Sequence, residues 1–115
     1  MALASDFRIK GSRRIEEVKT KGRIFQSDSF GIAYLDRGDQ DFSKFAFVTS
    51  KKISKLSVHR NRVSRALSEG VRRNTSRIPR GYDFVFLTKR DITTKSTEDI
   101  LMEIDKFFFD FKPKE

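Results

Sequence analysis

The residues best suited to chemistry lie in one basic stretch, from Val58 to Arg73. If this stretch is helical, each residue advances about 100° around the axis. One face then carries an apolar stripe of Val63, Ala66, Leu67, Gly70 and Val71. The opposite face carries Asn61, Arg65, Ser68 and Arg72, with Arg62 and Arg73 along one flank. We expect the first face to pack against a sheet and the second to bind anions through forked guanidinium hydrogen bonds.

Positive charge accumulates around this stretch without matching acids. Between Lys51 and Arg73 there are eight lysines and arginines and one acid, Glu69. Because uncompensated like charges destabilise a compact state, we expect a partner to supply the counter-charge. The alternative is a basic face that is simply solvated.

The composition of the whole chain agrees with a polyanionic partner. The chain has 115 residues, a formal net charge of +9 and a pI of about 10.1, which fits a single domain over residues 1–115 that binds a polyanion. It has no cysteine, which excludes disulfides, a thiolate nucleophile and zinc-finger spacing. No apolar run has the length of a signal peptide or a membrane span, so the sequence predicts a cytoplasmic protein without a membrane partner.

Candidates for protein-based catalysis are few. The single histidine, His59, lies among arginines and has no evident carboxylate partner, so it is either an acid–base group or a residue at a helix end. Asp36, Asp39 and Asp41 could bind a hard cation, but aspartates are also common in turns for conformational reasons. No glycine-rich phosphate loop or nucleophile elbow is present, which disfavours a protein-only nuclease and leaves phosphate recognition.

The first half of the chain predicts a helix followed by strands. A short helix is expected from about Ser12 to Lys21, capped by Ser12 and ended by Gly22. Alternation from Ile24 to Asp36 predicts a strand. A turn over residues 36–41 then leads to the return strand of a hairpin around residues 44–50.

The second half predicts a crossover and a final helix. The basic helix is expected to start at Ser57 or His59, and Pro79 and Gly81 prevent it from extending further. The apolar run Tyr82–Thr88 is expected to be a central strand. Ser96 with Asp99 resembles a capping box for a last helix, whose stripe is core or a partner surface: Ile100, Leu101, Ile104, Phe107, Phe108 and Phe111.

Two motifs together resemble a known signature. Ser50-Lys51-Lys52 is followed by Arg60-Asn61-Arg62-Val63-Ser64-Arg65, then by Leu67-Ser68-Glu69 and an arginine pair. This combination resembles the bacterial ribonuclease P protein component. The similarity extends to residues 14–22 and 83–86 and covers roughly residues 8–110.

The resemblance implies both a fold and a function. The fold would be α+β, a two-layer α/β sandwich with element order α-β-β-β-α-β-α, a central mixed four-stranded sheet and a left-handed β-α-β crossover, against the usual right-handed rule. The protein would be the noncatalytic subunit of ribonuclease P. It would bind a catalytic RNA and the 5′ leader of precursor tRNA, while the RNA partner carries the Mg²⁺ used in hydrolysis. The alternative is a structural RNA-binding protein of ribosomal type without a role in cleavage, and the oligomeric state stays open.

The resemblance also implies site residues. Contacts with the catalytic RNA are expected from Lys51, Lys52, Arg60, Asn61, Arg62 and Arg65. The family usually has a basic residue at the position of Ser64 and often at that of Ser68, so these contacts are expected to be weaker here or to move to Arg72 and Arg73.

The leader cleft departs further from the family pattern. Aromatic positions of the first helix correspond here to Ile15 and Lys19. Lys19 could exchange base stacking for phosphate attraction. Phe25, Phe30 and Tyr34 are alternative leader contacts, unless they are simply core.

Overall fold

The computed structural model describes residues 7–48, 57–89, 92 and 94–111, with no side-chain description at residues 57–60. Three helices are found, α1 (Ser12–Lys21), α2 (Ser57–Arg73) and α3 (Thr97–Asp110). Four strands are β1 (Arg23–Gln26), β2 (Phe30–Asp36), β3 (Lys44–Val48) and β4 (Tyr82–Thr88). A short 3₁₀ turn, Thr75–Arg77, follows α2. The predicted α-β-β-β-α-β-α order is confirmed.

The four strands form one mixed sheet in the order β1-β2-β4-β3. Strand β4 is antiparallel to β2 and parallel to β3. The predicted hairpin between the second and third strands is therefore wrong, because β4 lies between β2 and β3. The first five residues of β4 are all buried, as expected for a strand that pairs with a neighbour at both edges.

The single strand predicted from Ile24 to Asp36 is also wrong, because it is two antiparallel strands. The chain reverses between β1 and β2 through a tight turn, in which the Ser27 N–H donates to the Phe30 carbonyl at 2.8 Å. Residues 27–29 are Ser-Asp-Ser, which are turn-forming residue types, but the period-two alternation continues on both sides of them. Alternation alone therefore did not reveal this reversal.

Helices pack on both faces of the sheet. The larger core lies between the sheet and helices α2 and α3, and includes Phe30, Phe84 and Phe86 of the strands with Leu67 and Ile104 of the helices. These two layers form the predicted sandwich. Helix α1 lies against part of the other face, where Val18 packs with Ala33 and Val85. The β3-α2-β4 segment is the predicted parallel crossover, and its left hand stays a prediction.

The helix ends agree with the sequence in part. Ser12 was expected to cap α1, but it is the first helical residue, and Gly11 occupies the cap position without a side-chain hydrogen bond. Gly22 ends α1 as predicted, and a Cβ there would lie 2.4 Å from the Tyr34 carbonyl oxygen. The Asp99 N–H donates to Ser96 Oγ at 3.0 Å at the start of α3, which confirms that cap.

The apolar stripe of α3 is core, as one of the two interpretations proposed. Five of its members are buried and Phe111 is partly buried against them. Within the described ranges, no helix combines the length and apolar character needed to span a membrane.

Candidate nucleic-acid interface

Helix α2 is oriented by its apolar stripe. All five predicted members of the stripe are buried, and Leu67 is fully inaccessible. Gly70 lets α2 approach α3 closely, because a Cβ at this position would lie 2.4 Å from Ile104 Cδ1. The packing fixes the rotation of α2 and gives it two flanks with different neighbours.

One flank of α2 forms the wall of a groove beside the edge strand β3. The groove has a volume of about 850 Å³. Its wall on α2 consists of Asn61, Ser64, Arg65 and Ser68, which we call the groove flank. The other side consists of Arg8 and Ile9 of the N-terminal segment and Phe45, Ala46 and Phe47 of β3.

The N-terminal segment is held in place by backbone pairing. The Ile9 N–H donates to the Phe45 carbonyl at 2.9 Å, and Arg8 forms an isolated parallel bridge with Phe45. Arg8 thereby reaches the same groove as Arg65, although 57 positions separate them in the sequence. Arg8 was not among the predicted binding residues. The excess of basic residues near it was visible in the sequence, but the pairing that positions Arg8 is long-range and leaves no local signal.

The cations of the groove have no acidic partner within the described ranges. Arg8, Asn61 and Arg65 are exposed, and the ion pairs found in that part of the chain involve neither arginine. The groove therefore combines two uncompensated guanidinium groups with an amide, two hydroxyls and the half-buried ring of Phe47. Such a set can bind phosphate and can stack on an unpaired base.

Ser68 differs from its predicted position. It was expected on the open face with Asn61 and Arg65, but only 6% of its surface is exposed. The reason is that the flank faces the wall of β3 rather than open solvent. Ser64 is half-buried in the same groove.

The opposite flank of α2 meets α3. We call Arg62, Arg73 and Asn74, which directly follows α2, the α3 flank. Arg62 Nη1 donates to Thr97 Oγ1 at 3.4 Å, and Arg73 Nη2 lies 2.6 Å from Asp105 Oδ2. Buried Asn74 donates to the Gly70 carbonyl at 2.8 Å and to Asp105 Oδ1 at 2.7 Å.

The remaining predicted arginine of the helix, Arg72, also has an acidic partner. Its Nη2 lies 2.6 Å from Glu69 Oε2. Arg62, Arg72 and Arg73 thus hold protein groups, in contrast to Arg65. Their contacts with RNA stay a prediction.

Some predicted contacts lie outside the described residues. Lys51 and Lys52 are in this class, and only the backbone of Arg60 and His59 is described, as part of α2.

The four predicted leader contacts do not lie together. Ile15 and Lys19 belong to α1, where Ile15 packs with Val18 against the sheet face that carries Ala33 and Val85. Phe25 and Tyr34 are on the other face, with ring centroids 4.9 and 6.3 Å from that of Phe107 in α3. Phe30, the further candidate, is fully buried there. One single-stranded segment lying along one face could not contact both pairs.

A buried carboxylate joins α1 to the sheet. Asp83, on β4, is 2.6 Å from Arg14 Nε and 2.6 Å from Arg37 Nη1. Hydrogen bonds to Asp83 and Glu17 raise the pKa of Arg14, and the Arg14 guanidinium lowers the pKa of Glu17. Arg14 therefore holds α1 against β4, which positions Ile15 and Lys19, whereas Arg37 joins the turn after β2 to β4.

The aspartates of the turn after β2 serve its conformation. Asp36 Oδ1 accepts from the Gly38 N–H at 2.8 Å, and Asp39 Oδ1 accepts from the Asp41 N–H at 3.1 Å. Hydrogen bonding to Arg37 lowers the pKa of Asp39. In the described part of the chain, no three histidine, cysteine or acidic residues are grouped to hold a metal.

Comparison with known proteins places this geometry in a family. The family model for ribonuclease P matches residues 3–112. The ribonuclease P protein component of Pelotomaculum thermopropionicum is 40% identical over 91 residues, covering 75% of this chain and 80% of that protein. The component from Clostridium acetobutylicum is 31% identical over 103 residues, covering 88% and 85%.

Solved structures show the same fold. The ribonuclease P protein of Thermotoga maritima has a TM-score of 0.80 at 21% identity, covering 92% of this chain and 98% of that one. A ribonuclease P protein from Staphylococcus aureus also has a TM-score of 0.80 at 21% identity, covering 87% and 90%. From the extent of the family match and the identity to its members, the chain belongs to the ribonuclease P protein family.

Proposed function

We propose that this protein is the noncatalytic subunit of a bacterial-type ribonuclease P. It binds a catalytic RNA and promotes the Mg²⁺-dependent endonucleolytic removal of the 5′ leader from precursor tRNA. The observation that carries the proposal is the groove flank of α2, where Arg65 and Asn61 of the family-like motif lie beside Arg8 without an acidic partner in the described ranges.

The groove supplies the chemistry that RNA binding requires. Arg65 and Arg8 can each donate two hydrogen bonds to a phosphate, and Asn61 can donate and accept at a base edge or a ribose. Lys51, Lys52 and Arg60 add positive charge close to Asn61 in the sequence. Arg62, Arg72 and Arg73 contribute less, because α3 or Glu69 already occupies them.

Hydrolysis is assigned to the RNA partner, which would hold the Mg²⁺. The carboxylates of the described residues do not form a suitable site, since Asp36 and Asp39 accept hydrogen bonds from their own turn and Asp83 is enclosed by two arginines. The role of this chain is binding and positioning.

The leader is assigned to the α1 side of the sheet. Ile15 and the half-buried residues Val48 and Leu87 form an apolar surface there, and Lys19 at its edge can attract phosphate. Lys19 is 3.2 Å from Glu16, a pair on the exposed surface, which a polyanion can displace at little cost. Tyr34 is assigned to the core beneath α3, and Phe25 to the exposed edge of the sheet beside Phe107. With tRNA as substrate, the protein would act in the cytoplasm.

Reconstitution tests this function. The protein is added to a bacterial-type catalytic RNA and precursor tRNA at a Mg²⁺ concentration too low for the RNA alone, and release of the leader is measured. We expect faster cleavage with protein and none by the protein without RNA. Correctly folded protein that fails to stimulate a competent RNA would contradict the proposal.

A binding comparison distinguishes the proposed function from that of a structural RNA-binding protein. Affinities for precursor and mature tRNA are measured side by side in the presence of the catalytic RNA. Preference for the leader-bearing form supports the proposed function, whereas equal affinity supports a protein without a role in cleavage.

A further inference from the structure

The groove beside α2 has a chemical character that a docking site for duplex phosphates does not require. Its volume of about 850 Å³ lies in the range of small-molecule sites. Phosphate contacts come from cations, polar side chains and backbone N–H groups, and they do not require an aromatic ring. Here the cations stand at a concave site whose wall includes the ring of Phe47.

Phe47 is placed to meet a base. It is half-buried on the edge strand β3, and its ring packs against Phe86 at a centroid distance of 5.4 Å. Beyond the Arg8–Phe45 bridge, the described residues add no further strand to the outer edge of β3. Phe47 thus contacts the core through Phe86 and also lines the groove.

The polar groups of the groove match the rest of a nucleotide. Arg8 and Arg65 stand on opposite walls, where they can bind the phosphates on either side of one ribose. Asn61 and Ser64 offer one amide and one accessible hydroxyl, which can bind a ribose 2′-OH or a base edge. A paired base cannot use this set, because its faces are covered by stacking within the helix.

We propose that the groove is a ribonucleotide site that takes one unpaired nucleotide of the catalytic RNA. The base stacks on Phe47, and Arg8 and Arg65 bind the adjoining phosphates. This inference rests on the proposed function for the identity of the RNA. It adds Arg8 and Phe47 to the contacts and predicts a preference for single-stranded RNA at this site.

The first test uses the protein alone with hexauridylate, and a short RNA duplex with the same number of phosphates for comparison. Amide chemical shifts are followed by NMR during titration. We expect hexauridylate to shift Arg8, Phe47, Asn61 and Ser64, and the duplex to leave Phe47 unchanged. Shifts confined to the α1 side of the sheet, or equal shifts with the duplex, would overturn the proposal.

Matched variants test the two kinds of contact. Phe47→Leu keeps an apolar side chain but removes the aromatic face, and should weaken hexauridylate binding about 5-fold or more. Phe109→Leu, which changes an exposed ring on α3, is its control.

Arg8→Gln should lower the salt dependence of log K by about 0.7, whereas Arg13→Gln, which changes an exposed arginine of α1, should not. Equal effects of target and control variants would contradict the site.

Crosslinking in the assembled enzyme identifies the source of the nucleotide. A 4-thiouridine is placed either in the catalytic RNA or in the leader, and crosslinked peptides are sequenced. Crosslinks from the catalytic RNA to residues 45–48 support the proposal, and crosslinks to these residues from the leader alone would overturn it. If the protein stimulates cleavage but no crosslinks to residues 45–48 form, the nucleotide site alone would be rejected. Groove binding of hexauridylate without stimulation of cleavage would reject the proposed function alone.

Discussion

The two flanks of α2 have similar polar composition but different surroundings. On the groove flank, Arg65 and Asn61 face Arg8 and β3, with no acid among the described residues of the groove. On the α3 flank, Asp105 accepts hydrogen bonds from both Arg73 and Asn74. The same residue types therefore have no acidic partner on one side, within the described residues, and stabilise the fold on the other.

The difference comes from where the acids are placed. Of the protein's 16 acidic residues, Asp105 lies on α3 facing α2, and Glu69 lies on α2 next to Arg72. No equivalent acid reaches Arg65 in the described ranges. The number of arginines on a helix thus predicts RNA affinity poorly unless the acids of the neighbouring elements are counted too.

The apolar stripe between the flanks should give the largest effect on stability. Leu67→Ala removes a fully buried side chain and should lower the free energy of unfolding by about 2–5 kcal/mol, since the cavity cannot close completely. Equilibrium unfolding in urea measures the change. RNA affinity per folded molecule should stay the same, and a loss below about 1 kcal/mol would show that the core relaxes around this position.

The next largest effect is a difference in unfolding free energy between variants on the two flanks. Asn74→Ala on the α3 flank removes the donor to the Gly70 carbonyl and to Asp105 Oδ1, while Asp105 Oδ2 keeps Arg73, and should cost about 1–3 kcal/mol. Asn61→Ala on the groove flank is the matched control and should change stability by less than about 0.5 kcal/mol. Equal losses in urea unfolding would remove the distinction between the flanks.

Local periodicity accounts for what the sequence could predict. The stripe of α2, the apolar run of β4 and the capped α3 each depend on residues close together in the chain, so their patterns were readable. Strand order was not, because the insertion of β4 between β2 and β3 depends on pairing between residues 39 to 58 positions apart. The reversal between β1 and β2 was missed although Ser27, Asp28 and Ser29 are turn-forming residues, because the alternation continues on both sides of them.

The candidate site was predictable to a similar extent. Asn61 and Arg65 could be placed on one face from helical geometry alone. The sequence could not show that Asp105 would face Arg73, or that the Ile9 N–H would bring Arg8 beside Arg65. Phe25 and Tyr34 were assigned to the leader by residue type, whereas their strand positions put them on the face opposite α1.

For RNA affinity we expect the opposite order: a variant on the groove flank should have a larger effect than one on the α3 flank. Arg65→Gln should weaken binding of the catalytic RNA and reduce the slope of log K against log salt by about 0.7–0.9, because a phosphate contact is lost. Arg73→Gln should change this slope less, since Asp105 already neutralises Arg73. Filter binding at several KCl concentrations measures both variants. Equal slope changes would show that RNA displaces the ion pair with Asp105.

The smallest expected effect concerns the two serines of the groove flank. Ser64 is half-buried at the groove and Ser68 is almost fully buried, so an added charge has access to RNA only at the first position. Ser64→Lys should tighten RNA binding a few-fold and steepen the salt slope by about 0.7–0.9. Ser68→Lys should instead lower the unfolding free energy, because its longer chain must displace the wall of β3 or bury its charge. Filter binding and urea unfolding of both variants measure the two effects. If both lysines tightened binding without a cost in stability, the groove would be open at Ser68, and the contrast between a shaped groove and a simple basic face would be lost.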